Sequence, residues 1–152
     1  ALNAHLVGDE LHLFETVNLG IAVDTPRGLV VPTLFGAERM SLNEIAASSR
    51  LLTQKCKEET ILPDEMQGVS FTVTNLGSLG IETFTPVLNP PQVGILGVGS
   101  IVYRVKPESG DMYPSVSLSL TFDHRALDGA PAARFLQQLA RNLEHFPLLL
   151  AR

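Results

Sequence analysis

A single cysteine, Cys56, is all that the 152 residues contain. That excludes an internal disulfide framework and a cysteine-based zinc cluster, and it fits a reducing compartment. No apolar run approaches the roughly 18 residues of a membrane span, and the opening ALNAHLVGDE lacks the basic-then-apolar order of a secretory leader. No membrane partner is expected. Charge is scarce too: Asp, Glu, Lys and Arg make up 18% of the residues, the net charge is −5, and no basic run is interleaved with aromatics. A phosphate-backbone footprint is therefore missing, and nucleic acid is not an expected partner. No Gly-x-Ser-x-Gly elbow of the hydrolase kind occurs. GILGVGS has neither a third glycine in register nor a helical pattern after it, which argues against dinucleotide binding. Gly94, Gly97 and Gly99 read instead as strand positions with close backbone neighbours.

What is present is a chain of single-domain length, 45% hydrophobic, able to bury a core. HLVGDELHLF predicts a hairpin turning at Gly8 and Asp9. VNLGIAVDTPRGLVVPTL predicts a second, with Pro26 and Gly28 in the turn and Leu29 to Leu34 as the returning strand. Ser41 and Glu44 in SLNE form a capping-box pattern. Leu42, Ile45, Ser49, Leu52 and Cys56 follow at helical spacing, so a helix with one face on a sheet is expected to end before Pro63. VSFTVTNLGSLG reads as a strand running into a glycine-rich turn, PPQVGILGVGSIVYRV as one or two strands, and KPESGD as a loop tip. In SVSLSLTF, Val116, Leu118, Leu120 and Phe122 share one face, and Ser117, Ser119 and Thr121 the other. From Ala130 to about His145 the pattern is helical, with Ala133, Leu136, Ala140 and Leu143 as the inward stripe. A sheet covered by two helices is an α/β two-layer arrangement. The start has no initiator Met and no linker character, so a piece of something longer is expected.

Polarity is concentrated in TFDHRALDGAPAARF, where the clearest strand meets the last helix. Such loops are where rigid scaffolds present reactive groups. His124 is the candidate, since imidazole alone has an unperturbed pKa near neutrality. Asp128 has three roles open to it: orienting the imidazole, pairing with an arginine, or capping the helix. Gly129 permits backbone conformations that other residues avoid. A metal site from Asp123, His124 and Asp128 is a weaker alternative, two carboxylates and one imidazole being a thin ligand set. His5 and His12 in the first hairpin and His145 at a helix C-terminus are assigned structural roles.

DHRALDG resembles the His-x-x-x-Asp-Gly motif of the dihydrolipoyl acyltransferases, the acyltransferase components of 2-oxoacid dehydrogenase complexes, which share the chloramphenicol acetyltransferase fold. VNLGIAVDTPRGLVVP, LPDEMQGVSFTVTNLGSLG, FTPVLNPPQVGILGVGSI and VSLSLTFDHRALDGAPAARFLQQL agree in the same order, so the resemblance covers nearly the whole chain. It implies a two-layer α/β sandwich, a mixed sheet with helices on one face. Residues 1–152 would be an acyltransferase catalytic domain lacking its N-terminal portion, with the lipoyl and subunit-binding domains elsewhere. The implied reaction moves an acyl group between a dihydrolipoyl arm, carried on a separate domain, and coenzyme A as substrate, without a metal. His124 is implied as the general base that takes a thiol proton, and Asp128 as the acidic position that organises the loop without touching substrate. Thr74 in FTVTNLG stands where the family has a serine that donates a hydrogen bond to the oxyanion. A threonine keeps the hydroxyl and adds a methyl that restricts χ1.

The family buries its channel between subunits of a trimer, the histidine of one chain facing the hydroxyl of the next. A homotrimer is therefore implied, with trimers joined into a larger cage, and decarboxylase and dihydrolipoyl dehydrogenase components as partners. Leu148, Leu149 and Leu150 in FPLLLAR resemble the apolar knob that links trimers, the alternative being that they cover the domain's own core. Bacterial cytosol is the favoured compartment, and the mitochondrial matrix is compatible. Two other functions stay open: a catalytically silent structural core subunit, and an acetyltransferase acting on a small free acceptor.

Overall fold

A five-stranded mixed sheet organises the chain, in a computed structural model that describes residues 1–146; Leu148, Leu149 and Leu150 lie outside the described residues. The N-terminal hairpin forms as expected. β1 (Ala4–Val7) pairs antiparallel with β2 (Glu10–Leu13), and Gly8 supplies the positive φ of 61° that the tight turn requires.

The second hairpin differs from expectation. β3 (Leu19–Ile21) pairs with β6 (Thr33–Leu34) inside the main sheet, whereas β4 (Val23–Thr25) and β5 (Gly28–Val30) form a separate two-stranded ribbon. The returning strand expected from Leu29 to Leu34 is thus broken at residues 31–32. Pro32 has no amide hydrogen to donate, so a continuous ladder is lost at that point, although its carbonyl accepts from the Ile21 amide at 3.1 Å.

α1 (Leu42–Lys57) starts on the expected capping box: Ser41 Oγ accepts from the Glu44 amide, and Glu44 Oε2 accepts from the Ser41 amide. Its buried residues are Leu52 and Cys56, and the helix packs on β4 and β6; Leu42, at the first turn, stays exposed. Burial pushes the Cys56 thiol pKa up, and the nearby Glu65 charge adds to the effect.

The chain then supplies β7 (Phe71–Asn75), β8 (Gly94–Val105), β9 (Met112–Phe122) and α2 (Gly129–Glu144). The sheet order is β6-β3-β7-β8-β9; β7 runs parallel to both neighbours and β8–β9 is an antiparallel pair. One face carries Phe71, Val73, Leu96, Leu118, Leu120 and Phe122 under Leu136 and Leu139 of α2. The inward stripe of α2 is Ala132, Leu136 and Leu139; Ala133 and Leu143, expected inside, face out, Leu143 being 52% exposed. Both stripes contain Leu136. The observed one places its second leucine, Leu139, on the core cluster, whereas Leu143, the second leucine of the other, lies in the last turn of α2 and stays in water; Ala140 is half-buried.

The opposite face carries Thr72, Thr74, Ile95, Gly97 and Thr121, and residues 84–88 lie across it. Thr121 Oγ1 donates to the Pro86 carbonyl at 2.6 Å, and a Cβ on Gly97 would meet Phe84 at 2.9 Å. Close approaches thus occur at the strand glycines, to side chains at Gly94 and Gly97 and to backbone, as expected, at Gly99. Gly99 sits at a register shift in the β8–β9 ladder between Val98 and Ile101, where a side chain would run into the Glu82 carbonyl. Gly99→Ala is expected to overpack this bulge and cost about 1–3 kcal/mol, lowering Tm by roughly 2–12 °C in a thermal melt.

Candidate active site

Asp123 is the first residue after β9 and collects most of the loop's hydrogen bonds. Its amide donates to the Val93 carbonyl at 2.9 Å, and its carbonyl accepts from the Ala126 amide at 3.0 Å. Its carboxylate accepts from the Arg125 amide and Nε through Oδ1, both at 3.0 Å, and from Arg125 Nη2 through Oδ2 at 2.7 Å. The Arg125 side chain, and after it the Arg125 amide, hold the Asp123 carboxyl below the usual carboxylate range. A carboxyl whose folded-state pKa is depressed contributes stability that is present above the unfolded value of about 3.9 and is lost as pH falls through the lower folded value. Asp123→Asn is accordingly expected to melt about 1–3 °C below the parent at neutral pH, with the difference closing on acidification below about pH 4.

His124 lies between these two clamped neighbours with its side chain 71% exposed. The ring centroid is 5.7 Å from that of Phe122, and Nδ1 is 3.6 Å from Asp128 Oδ1, within ion-pair reach and too long for a hydrogen bond. Asp128 occupies the N-cap position of α2 with extended backbone, yet its carboxylate makes no cap hydrogen bond; only its carbonyl enters the helix, accepting from the Ala132 amide at 3.4 Å. Of the three roles open to Asp128, facing the imidazole is the one the geometry places it for, since Asp123 holds the arginine. With both Asp123 oxygens engaged, Asp123, His124 and Asp128 do not converge, and no group of three or more His, Cys, Asp or Glu side chains among the described residues is arranged to hold a metal.

Thr74 lies elsewhere. It lines an open cavity of about 690 Å³ together with Ala22, Val31, Met66, Thr72, Phe84, Val87 and Ile95, and no charged side chain contributes to the lining. Of the threonines on this face, Thr72 donates to Gln92 Oε1 at 2.6 Å and Thr121 is held by Pro86. The Thr74 hydroxyl has no such partner among the described residues and is available to a ligand. Thr74 stands beside Gly97 in the parallel register of β7 and β8, and the missing side chain there lets Phe84 and Pro86 close over the sheet as a wall of the cavity. His124 is not among the lining residues. One chain thus brings His124 and Asp128 together and presents Thr74 in a different place.

Two features escape a reading of the residues alone. The Asp123–Arg125 clamp has only an Asp-x-Arg spacing as its signal, and the cavity wall at residues 84–89 is irregular backbone that no periodicity announces. The remaining histidines hold structural positions: His5 Nε2 donates to the Val69 carbonyl at 2.6 Å, His12 stands 3.4 Å from Glu10, and His145 Nδ1 donates to the Arg141 carbonyl at the end of α2.

Known proteins share this fold and much of this sequence. The family described as 2-oxoacid dehydrogenases acyltransferase (catalytic domain) matches residues 1–151. The dihydrolipoyllysine-residue acetyltransferase component of the acetoin cleaving system of Bacillus subtilis (strain 168) is 43% identical over 145 residues, covering 94% of this chain and 36% of that protein. The corresponding component of the pyruvate dehydrogenase complex of the same organism is 42% identical over 144 residues, covering 93% and 33%. Among solved structures, a dihydrolipoamide acetyltransferase of Azotobacter vinelandii, investigated for the role of a serine, a histidine and an asparagine in its catalytic mechanism, superposes with a TM-score of 0.90 at 37% identity, covering 98% of this chain and 63% of that one. The cubic core of a pyruvate dehydrogenase multienzyme complex superposes equally well, with a TM-score of 0.90 at 37% identity. The chain spans about a third of the length of these curated relatives, at 36% and 33%.

Proposed function

Since the chain belongs to the 2-oxoacid dehydrogenase acyltransferase family, in its catalytic domain, we propose that it transfers an acyl group between coenzyme A and a dihydrolipoyl arm. The observation that carries this reading is the open imidazole of His124, held between two clamped neighbours at a strand exit with a carboxylate 3.6 Å from Nδ1. A free thiol with a pKa of about 8.5 is only a few per cent thiolate at neutral pH, so a positioned base accelerates attack. His124 takes the proton from the acceptor thiol, and the sulfur attacks the thioester carbonyl. The carbonyl oxygen becomes an oxyanion that accepts a hydrogen bond from the Thr74 hydroxyl. Collapse breaks the bond to the original sulfur, which leaves with the proton from the imidazolium. Asp128 stabilises the charged ring between these steps. All of this uses side chains of the protein and two thiols that exchange one acyl group.

The separation of His124 and Thr74 within one chain supports completion of the site by a second copy, as in a homotrimer, with larger assembly and association with decarboxylase and dihydrolipoyl dehydrogenase components following from the family. A bacterial cytosol is the compartment we propose. A thiol-exchange assay on the full-length protein, with acetyl-coenzyme A and dihydrolipoamide, tests the reading. Formation of S-acetyl-dihydrolipoamide and free coenzyme A in equal amounts is expected. An assembled protein with no exchange would instead be a structural core subunit, and transfer only to another small acceptor would make it an acetyltransferase of a different kind.

A further inference from the structure

We propose that Arg125 is a positioning residue for His124, acting through Asp123; this rests on reading His124 as the base. The residues on either side of the imidazole are tied to each other by three hydrogen bonds, from the Arg125 amide, Nε and Nη2 to the two Asp123 carboxylate oxygens. Asp123 is also fixed to the body of the fold, its amide bonded to the Val93 carbonyl at 2.9 Å and its carbonyl accepting from the amides of Ala126 at 3.0 Å and Leu127 at 3.4 Å. The backbone on both sides of His124 is therefore set, and the soft torsions left near the reactive nitrogens are those of the histidine side chain itself.

The clamp has a second effect. Asp123 is a carboxylate one position from the base, and an unengaged carboxylate there would compete for the ring. The Arg125 fork occupies Oδ1 and Oδ2 together, as a planar guanidinium can and an ammonium cannot. Asp128, 3.6 Å from Nδ1, then remains the carboxylate that faces the imidazole. Arg125 thus selects which of two neighbouring carboxylates orients the base, without touching substrate.

Steady-state kinetics of the full-length assembled protein in the thiol-exchange assay test this, with coenzyme A binding stoichiometry measured by titration calorimetry to count intact sites. For Arg125→Gln we expect kcat to fall by up to about 10²-fold, the scale of a misplaced catalytic group, with KM for coenzyme A and the stoichiometry unchanged. Arg125→Lys should recover part of the loss. Asp123→Asn combined with Arg125→Gln should be no worse than Arg125→Gln alone, because the two residues act as one unit. An unchanged kcat in Arg125→Gln, beside an inactive His124→Ala, overturns the positioning role and leaves the base assignment standing. A stoichiometry that falls in step with kcat also overturns it, since sites are then lost and not mispositioned. Full turnover in His124→Ala removes the underlying reading itself.

Discussion

His124→Ala is expected to lower thiol-exchange turnover by about 10²–10⁴-fold, the range that a positioned base contributes, while the oligomer keeps its size in light scattering. Both halves follow from the loop. The ring is largely open to solvent, stands 5.7 Å from Phe122 and carries no hydrogen bond of the loop, so removing it leaves the hydrogen bonds of Asp123 and Arg125 in place. The loss should appear in kcat with every thiol acceptor, since each needs its proton withdrawn. Equal turnover in the variant would discredit the base assignment.

Thr74→Val is expected to cost about 10²–10³ in kcat, the usual effect of deleting one donor to a developing oxyanion. Valine keeps the branched shape that fits β7, and the hydroxyl removed bonds to no other described residue, so the fold should not suffer. Thr74→Ser restores the donor and should return activity to within a few fold of the parent, which a purely steric role would not predict. The two variants together also locate the site. If His124 of one copy meets Thr74 of another, co-expressing His124→Ala with Thr74→Val chains creates interfaces in which both residues are native. Random mixing around a closed ring then recovers about a quarter of parental turnover. A site built within one chain recovers none.

Much of this architecture is legible in the residues because local signals and tertiary demands agree. The capping box at Ser41 and Glu44, the turn at Gly8 and the alternation from Leu118 to Phe122 each carry their own periodicity or stereochemistry, and each appears where expected, with Val116 alone left exposed at the start of that face. The divergences arise where two patterns compete on nearly equal terms. On α2, Ala133 and Ala132 start rival stripes that cross at Leu136, and only the packing of Leu139 decides between them. In the second hairpin, Pro32 interrupts a run of apolar residues that otherwise reads as one strand. At the site, the motif points to His124 and Asp128, but hydrogen bonds to Asp123 depend on a loop conformation that spacing does not encode. The cavity around Thr74 is further from view, its wall formed by a segment held down by Thr121 and by the space left at Gly97.

The placement of Cys56 has a chemical corollary. The proposed passage of acyl groups between sulfur atoms would put an accessible cysteine at risk of acylation, or of a mixed disulfide with a lipoyl ring. Cys56, the one cysteine of these 152 residues, is 2% exposed on the buried face of α1, and burial together with the Glu65 charge disfavours the thiolate that either side reaction needs. In the proposed reaction, this placement keeps Cys56 from becoming a substrate.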